Sequence, residues 1–133
     1  MAVQLSVAVR NARLDAIETT IGATAVLKIR SGSVPADCAT ADAGTVLATL
    51  TLPSDWMAAA SSGSKAKSGT WQDTSADATG TAAHFRVYDS GGTVCGIQGT
   101  VGVGSGDLQV DSVSFTSGQS FTVTGFTITD ANA

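Results

Sequence analysis

A period-two alternation of apolar and polar residues is the sequence feature that most constrains this fold. It runs through residues 25–30, 45–52, 82–88, 93–101 and, as two further strands, 108–128. Successive side chains of a strand point to opposite faces, so this pattern is typical of half-buried β-strands. About eight such strands with short polar turns predict a mostly-β single domain. We expect a β-sandwich, either jelly-roll or Ig-like, with one N-terminal α-helix.

The strand predicted over residues 82–88 is the strongest of the set. Its apolar face consists of Ala83, Phe85 and Val87, and its other face consists of His84, Arg86 and Tyr88. We expect the second set to lie on the outer face of the sheet. The sequence Asp-Ser-Gly-Gly over 89–92 then predicts a turn into a returning strand.

The last third of the chain contains two strands whose apolar phase changes midway. Each change requires a bulge or a bend, which we place at Asp111-Ser112 and at Thr124-Gly125. Bent strands of this kind occur where one sheet curls over into a second sheet. The apolar residues on either side of the two changes are Leu108, Val110, Val113 and Phe115, then Phe121, Val123, Phe126 and Ile128.

Residues 1–22 form the predicted helical segment, which packs on the domain or on a neighbour, and residues 23–133 form the β-sandwich domain. Ser6 is a suitable N-cap, and Gly22 is a suitable left-handed stop. Glu18 lies at the unfavourable end of the helix dipole, so packing rather than propensity should hold the helix. Its expected buried stripe consists of Val7, Leu14, Ile17 and Ile21, completed by Arg10.

Residues 56–70 predict a hairpin around the Ser-Ser-Gly-Ser sequence at 61–64, with a short helix from Ser54 as the competing interpretation. Trp56 and Trp71 are expected to plug the ends of the sandwich, or else to contribute to a protein interface. Lys65 and Lys67 share one face of the predicted strand, where they either protect a sheet edge or meet an acidic neighbour.

Charge and composition argue against several classes of function. The net charge is −4, and no Lys or Arg follows Arg86, which is unfavourable for nucleic acid. Charged residues make up only 14 %, so much of the surface is expected to meet protein. A single histidine, His84, and acids without ligand spacing predict no catalytic, metal or cofactor site. We therefore expect a protein that is not an enzyme.

The N-terminus has neither a basic segment nor an apolar run, which predicts a chain made in a cytoplasm, without a signal peptide or membrane span. Two free cysteines are the expected state there, rather than a disulfide. Cys95 is predicted to be a small core residue, and Cys38 lies in a polar loop.

Several stretches resemble a family of small tailed-bacteriophage structural proteins. They are Leu27–Pro53, Gly80–Val94, Gly106–Thr129 and the helical sequence SVAVRNARLDAIETTIG over 6–22. The likeness covers most of the chain, but its motifs are turns and strand patterns, which specify fold better than role. It implies a virion location and brings no catalytic or metal residues to this sequence.

The preferred hypothesis is a capsid decoration, or cement, protein that binds and stabilises the outside of a phage head. Its partners are the major capsid protein and copies of itself, expected as a trimer, with no nucleic acid or membrane. The alternative is a tail or tail-fibre β-sandwich component that binds a host glycan or another tail protein; a head–tail connector subunit is weaker. The candidate interface residues are Arg10, Arg13, Lys65, Lys67 and Trp56.

Overall fold

The computed structural model describes residues 3–131, so the ends of the predicted segments at 1–2 and 132–133 lie outside the described part. It confirms a mostly-β chain with one N-terminal helix. The helix α1 spans Val7–Ile21, with the side chain of Ser6 capping Val9 and with Gly22 at φ 98° as its stop. The strands are β1 Val26–Arg30, β2 Val46–Thr51, β3 Ser64–Ala66, β4 Gln72–Asp73, β5 Gly80–Thr81, β6 His84–Tyr88, β7 Cys95–Gly102, β8 Leu108–Val110, β9 Ser114–Phe115 and β10 Phe121–Thr129.

Eight of these strands form one curled sheet in the order β2-β1-β6-β7-β8-β10-β3, with β4 also paired to β10. The strands β5 and β9 form a small second sheet. The pair β7 and β8 is parallel, and the other described pairs are antiparallel. The hairpin of β6 and β7 is the one predicted around residues 89–92.

Both predicted phase changes occur where the chain bends. The register of β10 against β8 shifts between Val123 and Gly125. In the other strand, β8 ends at Val110, and the chain continues as β9, which joins the second sheet. Phe115 of β9 and Phe121 of β10 then meet with ring centroids 4.7 Å apart. The bends therefore bring apolar residues of both phases into one core.

The two tryptophans lie together inside the core. Their ring centroids are 6.1 Å apart, and the ring of Trp71 is 5.7 Å from that of Phe126. The prediction that they plug separate ends of a sandwich is wrong, because both rings fill one aromatic cluster beneath the hairpin of residues 57–67. That hairpin is confirmed by its backbone bonds, such as Ala58 N to Ala66 O at 2.8 Å, and the competing helix does not form.

The expectation that His84, Arg86 and Tyr88 form an outer face is wrong. They do lie opposite the apolar face of β6, but all three are buried. The loop over residues 31–45 folds across this side of β1, β6 and β7 and covers them. β6 is therefore buried on both faces, as a central strand between two layers would be.

The helix packs on its own domain, although its predicted stripe is only partly buried. Leu14 is buried, and Ile17 and Ile21 are half-buried. Val7 is exposed, which contradicts its assignment to the stripe. The side chains of α1 that hydrogen-bond the domain are polar and begin at Arg10 and Asn11, which bind Asp130 O and Gly63 N, so Val7 at the start of the helix has no part in the docking.

Candidate functional site

A cluster of polar side chains centred on Asp42 joins the 31–45 loop to the sheet. Its carboxylate accepts hydrogen bonds from Arg30 Nη2 at 3.0 Å, Arg86 Nη1 at 2.8 Å and Tyr88 Oη at 2.6 Å. The Arg86 side chain is only 2 % exposed, whereas that of Asp42 is 42 % exposed. β1 and β6 place these three donors on one side of the sheet, and the loop supplies the carboxylate. We call Arg30, Asp42, Arg86 and Tyr88 the Asp42 cluster.

Arg86 also binds the backbone of the loop. Its Nη2 donates to the carbonyl oxygens of Asp37 and Thr40, each at 2.9 Å. Gln98 of β7 accepts from Arg86 and donates to Pro35 O at 2.7 Å. These bonds satisfy the buried guanidinium of Arg86 and fix the path of the loop. Arg86 and Gln98 therefore both have a structural role.

The pKa values of Asp42 and Tyr88 are shifted in the directions that keep Asp42 ionised and Tyr88 protonated. The hydrogen bond from Tyr88, followed by the charges of Arg30 and Arg86, lowers the pKa of Asp42 below its usual 3.8, although burial opposes this. Burial and the same hydrogen bond raise the pKa of Tyr88 above its usual 10.0. At neutral pH, Asp42 is thus a carboxylate and Tyr88 is a neutral donor. The hydrogen bond between them fastens the loop to the sheet, and the pKa shifts disfavour transfer of the proton from Tyr88 to Asp42.

His84 is completely buried beside this cluster. Its Nδ1 lies 2.7 Å from the carbonyl oxygen of Gly32. A carbonyl oxygen only accepts, so Nδ1 carries the hydrogen and holds the turn that follows β1. The side chain has no access to a substrate in this conformation.

A second polar cluster docks α1 onto the 57–67 hairpin. Lys65 Nζ lies 2.8 Å from Asp15 Oδ1, 3.1 Å from Glu18 Oε2 and 2.9 Å from Ala58 O, and its side chain is 3 % exposed. Although burial opposes it, these hydrogen bonds raise the pKa of Lys65 above its usual 10.5. The ammonium is therefore fully charged and fully bonded. We call Asp15, Glu18 and Lys65 the Lys65 cluster.

The Lys65 cluster explains why Glu18 is tolerated at the unfavourable end of the helix dipole. Glu18 also accepts from Met57 N at 3.4 Å, and Asp15 accepts from Ala60 N at 2.9 Å. The two acids therefore bind the hairpin through its backbone as well as through Lys65. They border a polar surface cleft of about 420 Å³ between α1 and the hairpin.

We expect the change Lys65→Met to loosen α1 while the sheet stays folded. Methionine fills similar space but leaves both carboxylates without their buried partner. Hydrogen–deuterium exchange should show amide protection in α1 falling about tenfold, with little change in β6. Lys67→Met is the matched control, because Lys67 is half-buried nearby but its ammonium donates to Gly69 O and lies over the Trp71 ring instead of binding the α1 carboxylates. An equal loss of α1 amide protection in the two variants would contradict the role of Lys65 in docking the helix.

The predicted interface residues fall in different environments. Trp56 and Lys65 are buried within the domain, so they have no surface to offer a partner in this conformation. Arg10 is half-buried and donates to Asp130 O at 3.0 Å. Lys67 is half-buried and lies over the Trp71 ring. Among the five candidates, Arg13 has the most exposed side chain, although it pairs with Asp130 at 3.3 Å.

Three valines at and before the start of α1 are exposed, which we did not predict from the sequence. Val3, Val7 and Val9 are 82 %, 47 % and 46 % exposed, and we call them the N-terminal valines. The spacing of Val7 and Val9 in the sequence already indicates that at least one of them must be exposed. Two residues two positions apart on a helix point in nearly opposite directions, so Val7 and Val9 cannot share one buried face.

Within residues 3–131, no three or more His, Cys, Asp or Glu side chains are grouped so as to hold a metal ion. No helix in the same range has the length and apolar character needed to cross a membrane. Comparison with known proteins found no matching family model, no matching curated protein and no matching solved structure.

Proposed function

We propose that this chain is a virion structural protein, most specifically a capsid decoration protein that binds and stabilises the outside of a phage head. The observation that carries the proposal is the exposure of the N-terminal valines, three large apolar side chains that face solvent near the start of the chain. Each Å² of apolar surface removed from water contributes about 25 cal/mol, so a partner that covers these side chains gains free energy. The likeness to small tailed-phage structural proteins supports the choice of a virion partner.

The use of the polar groups supports a binding role rather than an enzymatic one. The Asp42 cluster holds a loop, His84 holds a turn, and the Lys65 cluster docks the helix. Each of these groups, which would otherwise be the first candidates for chemistry, has an internal structural partner. The proposal accordingly assigns no catalytic role to them.

Stabilisation of a head by such a protein is a linkage effect. A protein that binds only the assembled shell shifts the equilibrium toward that shell, and its contribution grows with occupancy. Weak single contacts suffice when copies associate with one another, because clustered contacts add avidity. The proposed partners are the major capsid protein and copies of this chain, arranged as trimers, and the net charge of −4 disfavours contact with packaged DNA.

The alternative of a tail component that binds a host glycan is less well supported by the described residues. A sugar site of this kind needs an exposed aromatic ring for stacking, for which Tyr88, Trp56 and Trp71 are the candidates. All three are buried, so none offers a ring face at the surface. The copy number per particle distinguishes decoration from a tail role through protein contacts. Decoration requires on the order of hundreds of copies, because the protein binds repeated positions of the shell lattice.

The test uses heads purified without this chain, to which the wild-type protein or a Val3→Asp/Val7→Asp/Val9→Asp variant is added back. We expect wild-type protein to bind in hundreds of copies and to raise the temperature of DNA release, measured with a DNA-binding dye. The triple variant should remain folded by circular dichroism yet bind at least about tenfold more weakly, because charge replaces apolar contact.

Val103→Asp is the control for adding a charge at an exposed valine, since Val103 is 56 % exposed but belongs to the loop after β7, far along the chain from the N-terminal valines. It should bind like the wild type. Heads that are equally stable with and without the protein, or a triple variant that binds as well as the control, would contradict the proposal.

A further inference from the structure

Two cysteines that are far apart in sequence meet in the structure. Cys38 lies in the 31–45 loop, and Cys95 is the first residue of β7, 57 positions later. Their sulfur atoms are 3.0 Å apart. Both are free thiols and half-buried, so the pair is neither crosslinked nor sealed from solvent.

The contact between the thiols is held by its surroundings. Arg86 binds the carbonyl oxygens of Asp37 and Thr40, which lie on either side of Cys38. On the other side, the pairing of β7 with β6 places Cys95 opposite Tyr88. The loop and the strand are thus fixed independently, and their positions bring the two sulfurs together without a contribution from the thiols themselves.

We propose that Cys38 and Cys95 form a redox-active pair that a low-molecular-weight disulfide, such as glutathione disulfide, converts into an intramolecular disulfide fastening the 31–45 loop to β7. This inference is independent of the proposed virion role. It concerns the covalent state of the domain, whatever partner the domain binds.

The reaction proceeds in two exchange steps that balance. The thiolate of Cys38, whose proton passes to water, attacks glutathione disulfide; a Cys38–glutathione bond forms and one glutathione thiolate leaves. Cys95 then gives its proton to water and attacks the Cys38 sulfur; the Cys38–Cys95 bond forms, the Cys38–glutathione bond breaks, and the two glutathione thiolates take up the two released protons. Two protein thiols are oxidised, and one glutathione disulfide is reduced to two glutathione molecules.

The order of attack follows from the environment of Cys95. Burial, followed by the hydrogen bond with Cys38, raises the pKa of Cys95 to about 12. A thiol rather than a thiolate is therefore present at Cys95 near neutral pH, which makes it the poorer first nucleophile. Cys38 is accordingly expected to take the glutathione first, and Cys95 to resolve the mixed disulfide.

The test equilibrates purified wild-type protein with reduced and oxidised glutathione, both in native buffer and in urea. In native buffer the chain should lose both reactive thiols and the mass of two hydrogen atoms, stay monomeric on a non-reducing gel and yield a Cys38–Cys95 peptide. The native chain should oxidise at a glutathione ratio at least about tenfold more reducing than the unfolded chain requires, because folding holds the thiols together. By the same linkage, oxidation should raise the melting temperature by at least about 5 °C.

The single variants Cys38→Ser and Cys95→Ser are the matched controls. In Cys95→Ser, the glutathione adduct on Cys38 should accumulate, because nothing resolves it, whereas the wild type should pass through that adduct to the closed form. Persistent adducts on the wild type, crosslinked dimers, no reaction in native buffer, an oxidation midpoint equal to that in urea, or an unchanged melting temperature would each overturn the proposal.

Discussion

The change Asp42→Asn is expected to release the 31–45 loop from the sheet and to lower the free energy of unfolding by about 2 kcal/mol. It leaves the shape of the side chain but removes the carboxylate that faces Arg30 and Arg86, both of which are buried. Breaking a fully buried pair costs about 3–5 kcal/mol, and we expect less here because solvent reaches the Asp42 carboxylate. Urea denaturation would give the change in stability, and limited proteolysis would detect cleavage within the loop.

Asp77→Asn provides the control for the same chemical change. Asp77 is exposed and accepts a hydrogen bond from the Thr49 hydroxyl at 2.8 Å, so its partner is neutral. This variant should unfold at nearly the wild-type urea concentration and should keep its loop protected from protease. An equal effect of the two substitutions would show that the Asp42 cluster does not hold the loop.

The contribution of Asp42 also has a defined pH dependence. A carboxyl whose pKa is lowered on folding stabilises the folded state above its unfolded pKa, and this stabilisation disappears as the pH falls through the lowered value. For Asp42 the unfolded value is about 3.8, so its full contribution is present above about pH 4. The stability difference between wild type and Asp42→Asn should therefore shrink as the pH falls below about 4. A difference that stays constant down to pH 2 would mean that the charge of Asp42 is not responsible.

Local pattern was sufficient to predict most of the strands, the helix and the bends. The helix bounds depend on Ser6 and Gly22, which act on adjacent backbone. The bend at Thr124-Gly125 is visible as a change in alternation, and it appears in the structure as a register shift. Each of these features arises from interactions within a few residues, which is the range that a single sequence reports well.

The 31–45 loop could not be placed from the sequence. Its Ser, Ala, Asp and Thr residues are typical of a solvated loop, and nothing local indicates that Asp42 binds Arg86, 44 residues later. The same long-range contact turns the expected outer face of β6 into a buried one. Two of the interface candidates, Trp56 and Lys65, are buried for a related reason: they were selected for chemistry that occurs at interfaces, and the same chemistry suits internal contacts.

The change Trp71→Ala should have the largest effect of any single substitution considered, lowering the free energy of unfolding by about 3–5 kcal/mol. Trp71 is buried between the rings of Trp56 and Phe126, and its Nε1 donates to Ser68 O at 3.0 Å. Its backbone carbonyl accepts from Val123 N at 2.9 Å, so the residue joins the segment after the hairpin to β10. Removing the ring leaves a cavity where two parts of the core meet.

The size of that loss has to be compared with the stability of the whole domain. The free energy of unfolding of a domain of this size is about 5–15 kcal/mol, so the Trp71→Ala variant should be close to the limit at which the domain still folds. Trp71→Phe keeps an aromatic ring in the cluster and should cost only about 1–2 kcal/mol, which keeps the test informative if the alanine variant does not fold. Urea unfolding followed by Trp56 fluorescence would measure both. A loss below about 1 kcal/mol for alanine would mean that the aromatic cluster contributes little to the stability of the core.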